Sequence, residues 1–147
     1  MTDSRRRILI TGATGGIGLL LTRRLRDDYD VVQQGRTPAT EEQERELRRA
    51  DLDDYEQVRP LMEGVDTVLH LAGAASPESE WEAVLTANIV GTRTVLEAAR
   101  EAGVRRVVLA SSNHAMGMYD RDEQWPVYAH QPPRPDSRRA IAPYVHV

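Results

Sequence analysis

Thr11 to Gly18 reads TGATGGIG, and this stretch decides the fold because it joins two segments of different hydrophobic period. Before it, Ile8 to Thr11 is a short apolar run typical of a strand buried on both faces of a parallel sheet. After it, Gly16 to about Asp28 predicts an amphipathic helix, whose apolar residues recur at helical spacing: Ile17, Leu20, Leu21 and Leu25. The quoted stretch is therefore a glycine-rich turn between a strand and a helix.

The glycines of this turn follow the pattern G-x-x-G-x-x-G. Glycine permits a tight turn and lets the backbone approach a pyrophosphate, which the N–H groups and dipole of the helix start then stabilise. A glycine-rich turn without a ligand is the alternative, but the strand-turn-helix context favours a nucleotide. We therefore predict a dinucleotide site that includes Gly12, Thr14, Gly15, Gly16, Ile17 and Gly18.

Strand and helix patterns alternate over the first 110 residues. Such alternation implies right-handed crossovers and predicts an α/β fold with a doubly wound parallel sheet of about five strands. Residues 1–119 are the predicted dinucleotide-binding unit, and residues 120–147 a proline-rich irregular tail. The later strands are expected at Val31–Val32, weakly at Leu47–Asp51, at Val65–Leu71 and at Val107–Ala110; helices are expected from Asp53, paired with Glu56 as a cap, to Met62 and from Trp81 to Gly103.

Composition narrows the possible classes of function. A formal net charge of −4 argues against a nucleic-acid partner, and the absence of cysteine excludes disulfides and thiol ligands, which fits a cytoplasmic protein. The apolar stretch Ile8–Ile10 is too short to span a membrane, and we predict no metal site. All 19 Lys or Arg residues are arginine, so the chain contains no lysine.

Further motifs follow the glycine turn in a characteristic order: Asp51-Leu52, the LHLAG stretch Leu69–Gly73, Asn88 and Ala110-Ser111-Ser112. Together they resemble the extended short-chain dehydrogenase/reductase family, also described as the NAD-dependent epimerase/dehydratase family, which has a Rossmann-type fold. The sequence SSNH at 111–114 is similar to the uronate-dehydrogenase-like branch, whose members oxidise sugar acids or related sugars.

The resemblance implies a fuller cofactor site. Asp51 would accept a hydrogen bond from the adenine amino group; the alternative is a helix-capping acid, a role for which Asp53 and Asp54 compete. Asn88 would support the site from its helix; the alternative, which is compatible with this role, is that it ties the helix to a neighbouring loop. Leu52, Leu71, Ala72 and Gly73 complete the predicted cofactor-binding set.

The cofactor is expected to be NADP or NAD, and the end of the second strand favours NADP. An acid at this place recognises the ribose hydroxyls of NAD, whereas an arginine accommodates the phosphate of NADP. The sequence Gln33-Gln34-Gly35-Arg36 has no acid, Gly35 would leave room, and Arg36 would contact the phosphate. The alternative is that Arg36 is an exposed turn residue.

The predicted substrate side follows the fifth strand, where doubly wound sheets place their ligands. By the resemblance, Ser112 is the catalytic serine, while Asn113, His114 and Ser76 contact a sugar or sugar acid. The alternative is that these side chains satisfy the backbone of turns.

The resemblance ends at about Ser137, before the family's Tyr-x-x-x-Lys pair. The branch places that pair soon after a Pro-Asp element, which Pro135-Asp136 matches, and Tyr144 is the nearest tyrosine. We therefore expect a truncated sheet without the C-terminal substrate lobe. Three hypotheses follow: an oxidoreductase by descent that is impaired in catalysis, a non-catalytic NADP-binding sensor or interaction module, which could form homo-oligomers, and a truncated or frame-shifted gene product.

Overall fold

The computed structural model describes residues 5–76, 78–121 and 126–134, and it confirms the α/β fold. Its parallel sheet has the order β3-β2-β1-β4-β5. This is the Rossmann-type arrangement, in which the chain leaves the central strand first to one side and later to the other. The strands are β1 (Arg7–Thr11), β2 (Asp30–Gly35), β3 (Arg48–Arg49), β4 (Val65–His70) and β5 (Arg106–Leu109).

Helices cover the two faces of this sheet. Between β4 and β5 a loop leads into one continuous helical run, residues 81–101, whose middle is a π-helix, Leu85–Val90. The α-helices are α1 (Gly16–Leu25), α2 (Glu41–Glu46), α3 (Tyr55–Val58, continued as a 3-10 turn Arg59–Met62), α4 (Trp81–Val84), α5 (Gly91–Glu101) and α6 (Gly117–Arg121); a second 3-10 turn, Asn113–Met116, precedes α6.

β1 lies at the centre of the core because both of its faces are apolar. Ile8 and Ile10 point to the α1 side, whereas Leu9 points to the side of α3 and α5 and packs with Val68 and Val95. All three β1 residues are buried. The continuous apolar run therefore forms a strand covered on both faces, as the sequence predicts.

The start of α3 differs from its prediction by one residue. Asp54, not Asp53, is the N-cap: its carboxylate accepts hydrogen bonds from the backbone N–H groups of Glu56 and Gln57 at 2.9 and 3.4 Å. The Asp53–Glu56 capping pair is therefore wrong, because a cap must lie directly before the first helical residue, which is Tyr55.

The apolar face predicted for α1 is also partly wrong. The helix buries Gly18 and Thr22 and packs Leu21 and Leu25 against the sheet. Ile17 and Leu20 are 64% and 66% exposed, because they lie on a flank of α1 that no described element covers. On β5, Val108 is likewise 46% exposed, whereas its neighbour Val107 packs into the core.

Residues 126–134 pack back onto the chain that follows β5. Arg134 N donates to the Ala115 carbonyl at 2.8 Å, and Met118 N donates to the Arg134 carbonyl at 3.0 Å. The buried Tyr119 donates its hydroxyl to the Pro132 carbonyl at 3.1 Å and lies under the Arg134 guanidinium. The division at residue 119 stays a prediction, and Pro135, Asp136 and Tyr144 lie outside the described residues.

Candidate functional site

A crevice of about 530 Å³ opens at the carboxyl ends of β1, β2 and β4. This is the place where the strand order reverses and where open α/β sheets bind their ligands. Twelve of the thirteen predicted cofactor-binding residues line it: Gly12, Thr14, Gly15, Gly16, Ile17, Gly18, Arg36, Asp51, Leu52, Leu71, Ala72 and Gly73. Asn88 does not.

Two glycines of the turn are required by the protein's own packing. Gly12 has a φ of +66°, and a Cβ there would lie 2.8 Å from the backbone of Ala72. A Cβ on Gly18 would lie 2.3 Å from the carbonyl oxygen of Gly12. Glycine at these positions lets the turn pack against the loop after β4 and against its own first residue.

The other two glycines are not required in that way. A Cβ on Gly15 would make an ordinary contact at 3.5 Å, and a Cβ on Gly16 would meet nothing within 4 Å. Both residues are exposed at the crevice. The open space above Gly16 therefore fits a bound group that approaches the backbone closely.

The start of α1 carries no capping side chain and no acid in its first turn. Gly15 N donates to the Gly12 carbonyl and Leu19 N to the Gly15 carbonyl, but among the described residues no acceptor satisfies the amides of 16, 17 and 18. These amides and the positive end of the helix dipole face the crevice, an arrangement suited to a phosphate group.

The last two residues of β2, which directly precede Arg36, pack against the glycine turn. Gln34 is buried; its side chain accepts from Gly12 N at 3.2 Å and donates to the Ala50 carbonyl at 2.7 Å, so it braces the turn. A Cβ on Gly35 would lie 2.8 Å from the Thr14 methyl group. Gly35 therefore makes room for Thr14, and because it also lines the crevice, its role in leaving room for a phosphate stays a prediction.

Arg36 is exposed at the crevice and forms no ion pair or hydrogen bond within the described part of the chain. Other arginines do pair, for example Arg26 with Glu42 at 2.5 Å and Arg49 with Glu44 at 2.6 Å. The guanidinium at the end of β2 is thus available to an anion in the crevice.

Asp51 and Leu52 form the wall after β3. Because Asp54 caps α3, the carboxylate of Asp51 is not needed for capping and lies exposed at the crevice. Leu52 packs against the start of α5, where a Cβ on Gly91 would lie 3.2 Å from the Leu52 Cβ. The structure thus offers the Asp51 carboxylate and the Leu52 side chain, with Asp53 beside them, at the place predicted for the adenine.

Asn88 lies buried in the π-helix and binds the loop after β4. Its Oδ1 accepts from Ala74 N at 2.7 Å, and its Nδ2 donates to the Ala74 carbonyl at 3.2 Å. These bonds match the alternative in which Asn88 ties its helix to a neighbouring loop, so it acts on the crevice through that loop.

Of the predicted substrate residues Ser76, Ser112 and His114, none is among the described residues that line the crevice. Ser112 caps the 3-10 turn that follows, accepting from His114 N at 3.2 Å, and Ser76 accepts from Glu78 N at 3.2 Å. Because β4 and β5 are neighbours, the loops that carry these serines leave the sheet at the same edge, and Ala75 and Ala110 line the crevice. The side chain of Asn113 lies outside the described residues.

Sequence reasoning missed the polar residues beneath the crevice. Thr11, His70 and Thr92 are buried and joined by hydrogen bonds, and Gln34 lies beside Gly12. The histidine that ends β4, directly before the loop that lines the crevice, was the signal that could have drawn attention to them, since a buried imidazole needs partners.

Within the described ranges no three His, Cys, Asp or Glu side chains are grouped to hold a metal ion. No helix in the described part of the structure has the length and apolar character needed to cross a membrane.

The sheet order, the glycine turn and the crevice define the class of Rossmann-type dinucleotide-binding domains. A family model described as the NAD dependent epimerase/dehydratase family matches residues 8–141. The chain therefore belongs to the NAD-dependent epimerase/dehydratase family, as its motifs predict.

Its relatives include sugar-acid dehydrogenases. It is 43% identical over 135 residues to the uronate dehydrogenase of Pseudomonas putida, covering 89% of this chain and 49% of that protein. It resembles the solved glucuronic acid dehydrogenase of Chromohalobacter salexigens with a TM-score of 0.79 and 34% identity, covering 93% and 51% of the two chains. The Agrobacterium tumefaciens uronate dehydrogenase mutant solved with NAD gives a TM-score of 0.69 and 29% identity, covering 92% and 51%. The chain thus spans about half the length of these relatives.

Proposed function

We propose that this chain is the dinucleotide-binding half of a dehydrogenase acting on a sugar or sugar acid by hydride transfer. The observation that carries the proposal is the start of α1, where free amides meet the open space above Gly16. Neither feature has a use within the described part of the chain, whereas a pyrophosphate would satisfy the amides and fill the space.

The substrate class is proposed from the relatives together with the position of Ser112. The Pseudomonas protein is named a uronate dehydrogenase, and the Haloferax volcanii relative, 38% identical over 125 residues, an NAD-dependent glucose-6-phosphate dehydrogenase. In this chain Ser112 would orient the reacting hydroxyl, and Asn113, His114 and Ser76 would contact the sugar or its carboxylate.

We further propose that the chain prefers NADP to NAD. The three residues that end β2, Gln33-Gln34-Gly35, have no acid, and Arg36 meets the crevice without a partner among the described residues. A guanidinium binds a phosphate through charge-assisted hydrogen bonds, which the ribose hydroxyls of NAD cannot match. The preference would set this chain apart from the relative solved with NAD.

A second candidate function is nucleotide binding without catalysis. The family passes a proton through a tyrosine whose pKa a lysine lowers; a phenol with a pKa near 10 is otherwise a weak base at neutral pH. These 147 residues contain no lysine, so that cation would have to come from outside them. A chain that acts alone would then serve as a sensor or partner-binding module.

Calorimetric titration of the purified chain with NADP and with NAD tests these proposals. We expect binding of both, with NADP the tighter. No binding of either dinucleotide at millimolar concentration would reject the site. Turnover of glucuronate or galacturonate with the bound cofactor would favour the dehydrogenase, and binding without turnover the module.

A further inference from the structure

Three buried polar side chains form a chain directly beneath the crevice, where β1, β4 and α5 meet. The Thr11 Oγ1 lies 2.7 Å from the His70 Nδ1, and the His70 Nε2 lies 3.0 Å from the Thr92 Oγ1. Their exposures are 0%, 1% and 4%, so water does not compete for these bonds. Thr11 and His70 are direct neighbours in the register of β1 and β4.

The Thr11 hydroxyl has one hydrogen and two lone pairs, and from these we infer which atom donates in each hydrogen bond with His70. Its oxygen accepts from the backbone N–H groups of Leu71 and Ala72, at 3.2 and 3.4 Å, and the Leu71 N–H is shared with the Thr11 carbonyl oxygen at 3.3 Å. With its lone pairs facing these two amides, the hydroxyl has its single hydrogen left for the His70 Nδ1, which we infer accepts. The proton of the neutral imidazole lies on Nε2 and is donated to Thr92.

The same loop residues meet the glycine turn. The Ala72 backbone occupies the space where a Gly12 side chain would lie, and Leu71, Ala72 and Gly73 line the crevice. We propose that His70 is a positioning residue: together with Thr92 it orients the Thr11 hydroxyl, which holds the Leu71–Gly73 loop as one wall of the dinucleotide crevice. This inference rests on the proposed function for its effect on the cofactor.

The hydrogen bonds from Thr92 through His70 to Thr11, hereafter the relay, need a neutral His70 ring, and the surroundings of the ring favour that state. Burial lowers the pKa of His70 to about 4, so the ring is neutral near pH 7. A protonated ring would carry a hydrogen on Nδ1, and Thr11 would have to release one of the two loop amides to accept it.

Two measurements on the full chain test the proposal. Long-range proton–nitrogen NMR at pH 7 should show His70 neutral with its hydrogen on Nε2; a hydrogen on Nδ1 or a cationic ring would overturn the relay. In Thr11→Val the amide signals of Leu71, Ala72 and Gly73 should shift and NAD affinity should fall by about tenfold or more. His70→Leu should weaken NAD binding in the same direction, because the Thr11 hydroxyl loses its acceptor.

The chain offers a matched control and a rescue. Thr22 is also buried, but its hydroxyl has no hydrogen-bond partner among the described residues, so Thr22→Val should leave NAD affinity and the loop amides unchanged. Thr11→Ser keeps the hydroxyl and should retain wild-type affinity. Unchanged affinity in Thr11→Val would contradict the proposal. If the wild-type chain binds no NAD, the proposed function fails, but the tautomer of His70 and the loop amide signals still test the relay. If a variant fails to fold, the tautomer of His70 in the wild type tests the relay without it.

Discussion

The floor of the crevice and its rim use similar residue types under different constraints. The floor, which we define as Thr11, Gly12, Gly18, Gly35 and His70, is buried or in close contact with other backbone. The rim, defined as Gly15, Gly16, Arg36 and Asp51, is exposed at the crevice. Floor residues are therefore fixed by the fold itself, whereas the rim has free amides, a free guanidinium and a free carboxylate among the described residues.

This difference separates stability from binding. A change in the floor disturbs packed atoms and buried hydrogen bonds, so it should lower the free energy of unfolding and affect binding only as a consequence. A change in the rim removes nothing that the described structure uses, so it should alter binding alone. If floor and rim were not distinct in this way, substitutions in the two regions would change stability and binding alike.

The largest contrast is expected between two glycines of the same turn. In Gly18→Ala the new Cβ would lie 2.3 Å from the Gly12 carbonyl oxygen, a backbone atom that cannot move away cheaply. We expect the free energy of unfolding to fall by at least about 3 kcal/mol in urea titrations. Gly16→Ala meets no atom within 4 Å, so it should leave stability unchanged or slightly higher, yet weaken NAD binding. Equal losses of stability in both variants would contradict the division into floor and rim.

The sequence predicts the rim better than the floor. Glycine spacing, Arg36 and Asp51 are visible as residue types at fixed places in a strand-turn-helix pattern, and backbone binding by glycine needs no side-chain geometry. The relay through His70 depends on which strands are neighbours and in which register, which no local pattern contains. The contact between Gly35 and Thr14 was missed for the same reason, because Thr14 comes from another segment of the chain.

The helices illustrate a second limit of the sequence. Hydrophobic spacing located α1 and the run from Trp81 to Glu101, but Ile17 and Leu20 are exposed and the π-helix around Asn88 was not expected. A periodic pattern reports which residues are apolar, whereas their burial depends on whether another element covers that flank. The one-residue error at the start of α3 reflects three candidate caps, Asp51, Asp53 and Asp54, which only backbone geometry distinguishes.

The next largest effect concerns pH and the floor. The pKa of His70 is about 4 in the folded chain, below the ordinary value near 6.5 expected after unfolding. Because folding favours the neutral ring, this contribution is complete above about pH 6.5 and is lost as the pH falls towards 4, by about 3 kcal/mol in total. Unfolding free energies at pH 7 and pH 4.5 should therefore differ less in His70→Gln than in the wild type, by about 2 kcal/mol.

The control for this titration is His130→Gln, which changes an exposed histidine and should reproduce the wild-type difference. The carboxylates titrate in every variant and cancel from the comparison. Identical pH dependence in the wild type and in His70→Gln would show that the ring is not buried in its neutral form.

A smaller effect, confined to binding, is expected at Arg36. Arg36→Ala should reduce NADP affinity by about tenfold and leave NAD affinity and the free energy of unfolding unchanged, because a charge-assisted hydrogen bond to the 2′-phosphate is lost. Arg106→Ala, at the opposite end of the sheet, controls for the change in net charge. An equal reduction for NAD and NADP would mean that Arg36 contacts a group that both cofactors share.

The smallest and sharpest contrast uses two carboxylates three positions apart in the chain, Asp51 on the rim and Asp54 at the start of α3. Asp54→Ala removes the acceptor of two backbone N–H groups and should lower the free energy of unfolding, as the loss of an N-cap does, with little change in NAD affinity. Asp51→Ala should do the reverse, weakening NAD binding severalfold through the adenine amino group at unchanged stability. Urea titration and calorimetry on both variants measure the two stabilities and the two affinities. A loss of stability in Asp51→Ala would mean that Asp51 contributes to capping α3 and would contradict the contrast.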